Sequence, residues 1–225
     1  MFGPTSVMVR HTKVLSCALA ASPADLDNLA PLPREGARQA LHWFDFPCPF
    51  CYVGQQRSTM LERLGFDVID LPFQAHPEIP LEGRAVGARS SPMVALIEEE
   101  ARLAGLSINW PRRLPNTRMA LAAAEWTRRH APSSFRLLKE ALFAAHFVLG
   151  EDLGDRRIVE AHAARSGVDL TGLRAALEDG SARELVDQSQ ALALAMGVSG
   201  TPAWLVSGRL TSGFQPREQF ERLAQ

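Results

Sequence analysis

The hydrophobic positions along the chain predict a strand, a helix and a second strand, in that order, from about residue 40. The run from Leu41 to Phe44 is continuously apolar, which is typical of a buried strand. Helical spacing then extends from Cys48 to Leu64, and Gly65 stands in the position that commonly ends a helix. Residues 66–71 alternate between apolar and polar side chains and predict a second strand. A strand therefore ends where a helix begins, and Cys48 lies at this junction.

A block of segments with helical spacing follows the second strand, and each begins near a residue that favours a helix start. The predicted caps are Ser91, Asn116, Ser133 or Ser134, Asp155, Asp169 or Thr171, and Gly180. His146 is in line with the apolar positions of the third segment, which predicts a core or boundary histidine. After Gly197, residues 203–206 and 210–212 predict a hairpin, and Pro216 begins a final helix.

This order predicts an α/β fold in which a small unit of strands and helices is interrupted by a helical block. We expect residues 38–75 and 181–225 to form the unit, and residues 76–180 to form an inserted all-helical domain. Residues 1–37 are rich in proline and have no regular period, so we expect a poorly ordered extension there. Cys17 lies in that extension and is expected to be an incidental thiol.

Composition and charge place the chain among ordinary globular proteins. Its 225 residues are 46% hydrophobic and 22% charged, and the net charge is −1. No electrostatic argument therefore favours a nucleic acid or an anionic membrane as partner. No apolar run approaches the roughly 18 residues of a transmembrane helix, and three cysteines do not make a disulfide framework.

The beginning of the chain contains one stretch with features of an export signal. The basic segment from Arg10 to Lys13 precedes an apolar run of only about seven residues, the lower limit for a signal peptide. We therefore predict a cytoplasmic protein, where the reducing environment keeps cysteines as thiols. The alternative is a periplasmic or exported protein, if this leader is a signal.

Two of the three cysteines, Cys48 and Cys51, have the spacing Cys-x-x-Cys at the predicted start of the first helix. Helix N-termini present unpaired N–H groups and a partial positive charge, so the pKa of Cys48 is expected to be lowered. Cys51 lies one turn further into the helix and is expected to be more buried. It can then attack a mixed disulfide formed at Cys48 and release the partner. Pro49 suits the first helical position, where its missing N–H costs nothing.

Two other interpretations of this cysteine pair stay open. A zinc site needs a second pair of ligands, and neither Cys17 nor the six histidines provide a paired spacing. Two buried and inert cysteines are also compatible with the pattern. We favour redox or thiol chemistry and predict no metal site.

Thr201-Pro202 immediately precedes the predicted third strand of the unit. Together with a Cys-x-x-Cys at the start of the first helix, it gives the layout of a thioredoxin fold. In that layout the proline is expected to be cis, which brings its backbone beside the thiols. A Thr-Pro alone is compatible with an ordinary strand-edge proline, and its combination with the two cysteines favours the thioredoxin interpretation.

Four segments, spread over about residues 38–225, carry a family resemblance. They are Asp45–Gly54; Pro72-Phe73 with Pro77, Pro80 and Gly83; Leu114-Pro115-Asn116-Thr117-Arg118 with Ala120; and Gly197–Pro202. With them the chain resembles the DsbA family of thioredoxin-fold proteins, in the FrnE-like branch related to the 2-hydroxychromene-2-carboxylate isomerases. The resemblance implies a DsbA-like thioredoxin fold whose inserted helical domain covers the thiol site.

The resemblance also implies a thiol–disulfide oxidoreductase, with disulfide isomerase activity as an extension of the same chemistry. The site residues it implies are Cys48 as nucleophile and Cys51 as resolving thiol, with Thr201, Pro202, Pro49 and Phe50 binding the substrate or setting the redox poise. Protein or low-molecular-weight thiols and disulfides are the expected partners. The redox-active pair needs no further cofactor, and glutathione is a candidate co-substrate.

The same resemblance leaves a glutathione-dependent isomerase or transferase of small aromatic compounds as the alternative. Isomerase and kappa-class transferase members commonly place Ser at the position of Cys48, and the kappa class has a Ser-Asp pair near the final helix. This chain keeps both cysteines, and residues 213–216 read Gly-Phe-Gln-Pro without the acid. Both features favour the dithiol function. A non-catalytic binding module that merely keeps the fold is a third interpretation.

Other residues near the cysteine pair have predicted roles of two kinds. Asp45 is a candidate for proton transfer, or equally for a helix-proximal cap or salt bridge. The aromatic residues Phe46, Phe50, Tyr52 and Trp204 are expected to rim an apolar groove, and the same residues are compatible with a place in the core.

Overall fold

The computed structural model describes residues 38–223, and a four-stranded sheet forms the centre of the fold. The strands of this sheet are β1 (Arg38–Phe44), β2 (Phe66–Pro72), β5 (Ala203–Val206) and β6 (Arg209–Ser212), and a separate pair is formed by β3 (Arg84–Ala85) and β4 (Arg113–Leu114). The order across the sheet is β2-β1-β5-β6. Strand β1 runs parallel to β2 and antiparallel to β5, and β6 runs antiparallel to β5.

Eight helices accompany the sheet in the described residues; the first lies between β1 and β2, the last follows β6, and the other six lie between β2 and β5 in the chain. They are α1 (Pro49–Arg63), α2 (Pro92–Leu103), α3 (Arg118–His130), α4 (Pro132–Ala144), α5 (Arg156–Arg165), α6 (Leu170–Asp179), α7 (Ser181–Ala195) and α8 (Arg217–Leu223). A π-helical turn, Ala145–Leu149, continues α4. This arrangement confirms the predicted α/β fold with a helical insertion. Within residues 38–223, no helix is both long enough and apolar enough to cross a membrane.

Strand β1 lies between β2 and β5, and its last five residues are buried. Its register pairs Arg38 with Phe66 at one end and Phe44 with Pro72 at the other. Helix α1 leaves the end of β1 and packs back against the sheet at Gly54. A Cβ added to Gly54 would lie 3.2 Å from the ring of Trp204, so the glycine permits this close approach. The cysteine pair is thereby held beside the loop that leads into β5.

Two helix starts differ from the prediction. Helix α3 has Thr117 as its N-cap instead of Asn116, although the Asn116 carboxamide oxygen still accepts from the N–H of Arg118 at 3.1 Å. Helix α4 begins at Pro132 with Ala131 as N-cap, ahead of the predicted Ser133 or Ser134. Proline lacks an N–H and is favoured at the first helical position, so it draws the helix start toward itself.

The other predicted caps agree with the structure. The side chains of Ser91, Asp155 and Asp169 accept from backbone N–H groups at the starts of α2, α5 and α6, and Gly180 precedes α7. Strands β3 and β4 were not expected, because two residues are too few to give a period. The predicted leader at residues 1–37, with Cys17, lies outside the described residues.

A buried charge network joins the sheet to the helical insertion. The ammonium group of Lys139 in α4 pairs with one carboxylate oxygen of Asp70 in β2. The other oxygen accepts from Nδ1 of His42 in β1 at 2.6 Å. Burial alone would raise the pKa of Asp70, but the Lys139 charge and the His42 hydrogen bond outweigh it and hold that pKa below its usual range. Burial lowers the pKa of His42, which keeps its imidazole neutral.

His146 lies in the π-helical turn and is 1% exposed, which confirms it as a core histidine. Burial lowers the pKa of His146 to about 4. An unfolded chain binds a proton near pH 6.5, whereas the folded chain resists it until about pH 4. The neutral side chain therefore contributes stability above pH 6.5 that is lost as the pH falls toward 4, up to about 3 kcal/mol.

We therefore expect His146→Leu to flatten the decline of stability between about pH 6.5 and pH 4. The measurement is urea unfolding at several pH values, with His76→Leu, whose side chain is 56% exposed, as the control. If the pH dependence of His146→Leu stays parallel to that of the parent protein, the burial of a neutral imidazole is not the cause of acid sensitivity.

Candidate active site

Cys48 occupies the junction between β1 and α1 that the sequence predicts. It is the N-cap of α1, and its sulfur accepts from the N–H of Cys51 at 3.4 Å. Pro49 takes the first helical position. Cys48 is partly exposed and Cys51 is fully buried, and both are free thiols. The two residues thus have the unequal exposure expected of an attacking and a resolving thiol.

The two thiols also differ in acidity. Burial alone would raise the pKa of Cys48, but hydrogen bonding to its sulfur, chiefly from Cys51, outweighs burial and brings the pKa below the ordinary thiol value. Burial raises the pKa of Cys51 well above that value, and the proximity of Cys48 adds to the effect. Cys48 therefore forms the thiolate more readily than Cys51, and the thiolate is the reactive form of a cysteine.

The loop before β5 lies beside Cys48, 153 residues away along the chain. The Cys48 thiol donates to the backbone carbonyl of Thr201 at 3.4 Å. The peptide bond between Thr201 and Pro202 is cis, as expected. Pro202 is buried, and Thr201 is partly exposed with a buried hydroxyl that has no partner among the described residues. The structure therefore brings Thr201 and the cysteine pair together.

An aromatic pair continues the surface away from Cys48. The partly exposed ring of Phe50 stacks on that of Phe214, with centroids 5.6 Å apart. The guanidinium of Arg57 covers Phe214 at 4.6 Å from the ring centroid and also donates to the carbonyl of Gln215 at 3.3 Å. Arg57 further pairs with Glu100 of α2 at 3.2 Å. Helix α1 therefore holds the loop that presents Phe214.

Of the two places predicted for the four aromatic residues, the core and the rim of a groove, three residues take the core. Phe46 and Trp204 are fully buried and Tyr52 is 3% exposed, so these rings belong to the core. The side chain of Trp204 lies on the face of the sheet that α1 covers, next to Gly54. Tyr52 stacks on Phe147 of the helical insertion. Only Phe50 lies at the surface, and Phe214 takes the neighbouring place.

Asp45 is fully buried beneath the start of α1. One carboxylate oxygen accepts from the Thr117 hydroxyl at 2.7 Å and from the N–H of Phe46 at 2.9 Å, and the other accepts from the N–H of Ala75 at 2.8 Å. Burial raises the pKa of Asp45 to about 6, while these hydrogen bonds oppose the rise. The sequence indicated Asp45 as a candidate residue but not its hydrogen-bond partners Thr117 and Ala75. Nothing in the sequence around Thr117 indicates that this residue lies next to the end of β1.

The described residues contain no group of three or more His, Cys, Asp or Glu side chains placed to hold a metal ion. The Cys48 sulfur hydrogen-bonds with the N–H of Cys51 and with the carbonyl of Thr201.

The chain is similar to a known protein family and to several solved structures. Residues 41–225 match the DSBA-like thioredoxin domain. A probable DsbA oxidoreductase from Streptomyces coelicolor has a TM-score of 0.72 at 21% identity, over 83% of this chain and 88% of that one. A 2-hydroxychromene-2-carboxylate isomerase has a TM-score of 0.66 at 18% identity, over 82% and 93%. The cytosolic disulfide reductase DsbM from Pseudomonas aeruginosa, solved with GSH, has 0.60 at 18%, over 83% and 93%.

Proposed function

This chain belongs to the family of DSBA-like thioredoxin domains, and from that premise we propose that it is a thiol–disulfide oxidoreductase. The observation that supports this most is the contrast within the pair: Cys48 is accessible with a lowered pKa, and Cys51 is buried with a raised pKa. Two inert, buried cysteines would not be expected to differ both in exposure and in the direction of their pKa shifts.

The proposed cycle has two exchange steps. The Cys48 thiolate attacks one sulfur of a substrate disulfide, forms a mixed disulfide, and releases the other sulfur as a thiolate. Cys51 then loses its proton and attacks the Cys48 sulfur, so that the Cys48–Cys51 disulfide forms and the second substrate thiol leaves. The substrate gains two electrons and the cysteine pair loses two. A thiol reductant restores the pair, and the reverse sequence oxidises a dithiol substrate.

The surroundings of Cys48 support roles for the neighbouring residues. The Thr201 carbonyl, 3.4 Å from the Cys48 sulfur, marks where the backbone of an extended substrate would lie along the loop. Pro202 fixes that loop, and Pro49 fixes the start of α1. Phe50 and Phe214 offer an apolar surface beside the reacting sulfur.

Glutathione is a suitable low-molecular-weight partner in this scheme, as the reductant that restores the pair. The reductase of the same fold, solved with GSH, supports that proposal. The isomerase of the same fold keeps a second candidate function open. In that second function, Cys48 would activate glutathione for the isomerisation of a small aromatic compound, and Cys51 would take no part.

A redox assay separates the two candidates. The protein is reduced and incubated with insulin, and the loss of insulin disulfides is followed with glutathione and glutathione reductase present. We expect turnover that requires both Cys48 and Cys51. Turnover of an aromatic substrate that needs glutathione and survives Cys51→Ser, without insulin reduction, would instead establish the isomerase.

The two thiols are expected to react in a fixed order with an alkylating agent. Because Cys48 is accessible with a lowered pKa, we expect it to be labelled first at about pH 6 to 7, with Cys51 protected by burial and its raised pKa. Peptide mapping by mass spectrometry reads each cysteine separately. Equal labelling of Cys48 and Cys51, or labelling of Cys48 only above about pH 8.5, would contradict the assigned nucleophile.

A further inference from the structure

Thr117 does not use its side chain in the way that its position predicts. It is the N-cap of α3, where a threonine hydroxyl normally accepts from a backbone N–H of the first helical turn. Here the side chain makes no capping hydrogen bond. Thr117 is 2% exposed, and its hydroxyl donates to Asp45 at 2.7 Å. The helix thus lacks the stabilising cap that the Thr117 hydroxyl could provide, so the bond to Asp45 calls for an explanation.

Asp45 connects that hydroxyl to the nucleophile. Its backbone carbonyl accepts from the N–H of Cys48 at 3.3 Å, which closes the turn between β1 and α1. Its carboxylate is held by Thr117 and by the N–H of Ala75, just beyond the end of β2. The side-chain hydrogen bond between Thr117 and Asp45, which is buried, thus ties the turn that carries Cys48 to the helical insertion.

We infer that Thr117 is a positioning residue of the dithiol, which holds the Asp45 carboxylate under the start of α1 and so couples the helical insertion to the reactivity of Cys48. The inference rests on the proposed thiol–disulfide function and names the part of the insertion that regulates it. Thr117 touches neither sulfur in this account and acts only through Asp45.

The electrostatics of the buried turn give the coupling a direction. A hydrogen bond to a carboxylate favours its ionised form, so the Thr117 hydroxyl lowers the pKa of Asp45 against the effect of burial. The Asp45 charge in turn raises the pKa of Cys48. The other titratable groups that interact with these two residues are His76, which lowers the pKa of Asp45, and Cys51. Loss of the hydroxyl therefore leaves Asp45 less ionised at neutral pH and Cys48 more acidic.

The test is the pH dependence of Cys48 alkylation in Thr117→Val, measured on the full chain. Valine keeps the shape of threonine and removes the donor. We expect the apparent pKa of Cys48 to fall by about half a unit, which raises its thiolate fraction below that pKa roughly threefold. Asp45→Asn, which removes the charge itself, should shift the Cys48 profile in the same direction. Thr117→Ser keeps the hydroxyl and should restore the parent profile.

Thr127→Val is the matched control. Thr127 lies in the same helix, is fully buried, and spends its hydroxyl on the Ala123 carbonyl at 2.7 Å, away from the dithiol. We expect it to lose stability with the Cys48 profile unchanged. If Thr117→Val does not fold, Thr117→Ala tests the same bond with a smaller side chain.

An unchanged or raised Cys48 pKa in Thr117→Val, or the same change in Thr127→Val, would overturn the coupling. The alkylation profile needs no substrate, so it judges Thr117 even if the protein fails to reduce disulfides. A parent protein that alkylates as expected but never cycles would overturn the proposed function alone.

Discussion

Replacing Cys48 with serine is expected to abolish disulfide exchange, with a loss of at least about a thousandfold in turnover. A serine hydroxyl has no thiolate to attack a disulfide sulfur, and Cys51 cannot substitute because it is fully buried and its pKa is raised. The measurement is the rate of insulin reduction with glutathione as the electron source. A Cys17→Ser background removes the third cysteine from the interpretation.

Cys51→Ser provides the complementary result. The first exchange step remains, so Cys48 should accumulate as a mixed disulfide that mass spectrometry identifies by the added mass of the partner. Cys48→Ser should unfold near the parent temperature because Cys48 is partly exposed, whereas Cys51→Ser buries a hydroxyl group and should unfold at a lower temperature. Full turnover in Cys48→Ser, or a mixed disulfide that forms at Cys51 instead, would reverse or remove the assigned roles.

The second large effect is expected for the charge network between the sheet and the helical insertion. Lys139→Met should lower the free energy of unfolding by about 3–5 kcal/mol at neutral pH, because it leaves the carboxylate of Asp70 buried without its cation. The side chains of Lys139 and Asp70 are 6% and 13% exposed, so water screens this pair weakly. Urea unfolding at pH 7 measures the loss.

Arg136→Met is the matched control, one turn earlier in the same helix. Arg136 pairs with Glu62 and Glu140, but its side chain is 56% exposed, so we expect a change within about 1 kcal/mol. If Arg136→Met costs as much as Lys139→Met, the loss comes from helix α4 in general and not from the buried pair.

The pH dependence of the free energy of unfolding provides a second test of the Lys139→Met prediction. The pKa of Asp70 is depressed in the folded protein, so its contribution to stability is present above its unfolded pKa of about 3.9 and is lost as the pH falls. Without Lys139 the carboxyl group takes up a proton more readily, and the variant loses less on acidification. The deficit of Lys139→Met should therefore shrink below about pH 4.

The sequence was sufficient for the parts of the fold that depend on local patterns. The helix start at Cys48, the alternation of residues 66–71 and the Thr-Pro before the third strand each have a local physical cause, and each is confirmed. The caps at Asn116 and at Ser133 or Ser134 were wrong because neighbouring residues competed for the same helix start. Pro132 won in one case, and Thr117 in the other.

The site was predictable as far as its residues lie close to the cysteines in sequence. The contacts that join Asp45 to Thr117, or Phe50 to Phe214, span 72 and 164 residues of chain, and no period or spacing connects them. The sequence also did not show which of the aromatic residues are buried. Phe46, Tyr52 and Trp204 look alike in sequence to Phe50, and only the packing of α1 and the insertion decides which ring meets solvent.

The account depends most on one claim, that Cys48 and Cys51 form a reversible dithiol–disulfide couple. The direct measurement is equilibration of the protein in buffers of graded ratios of reduced to oxidised glutathione, followed by acid trapping and mass spectrometry. We predict one two-electron transition, with a loss of two hydrogens confined to the peptide that holds both cysteines, at a potential in the range of roughly −270 to −120 mV spanned by thioredoxin-fold dithiols. A pair that stays reduced at every ratio, or a Cys48 that carries only glutathione while Cys51 stays a thiol, would contradict the central claim.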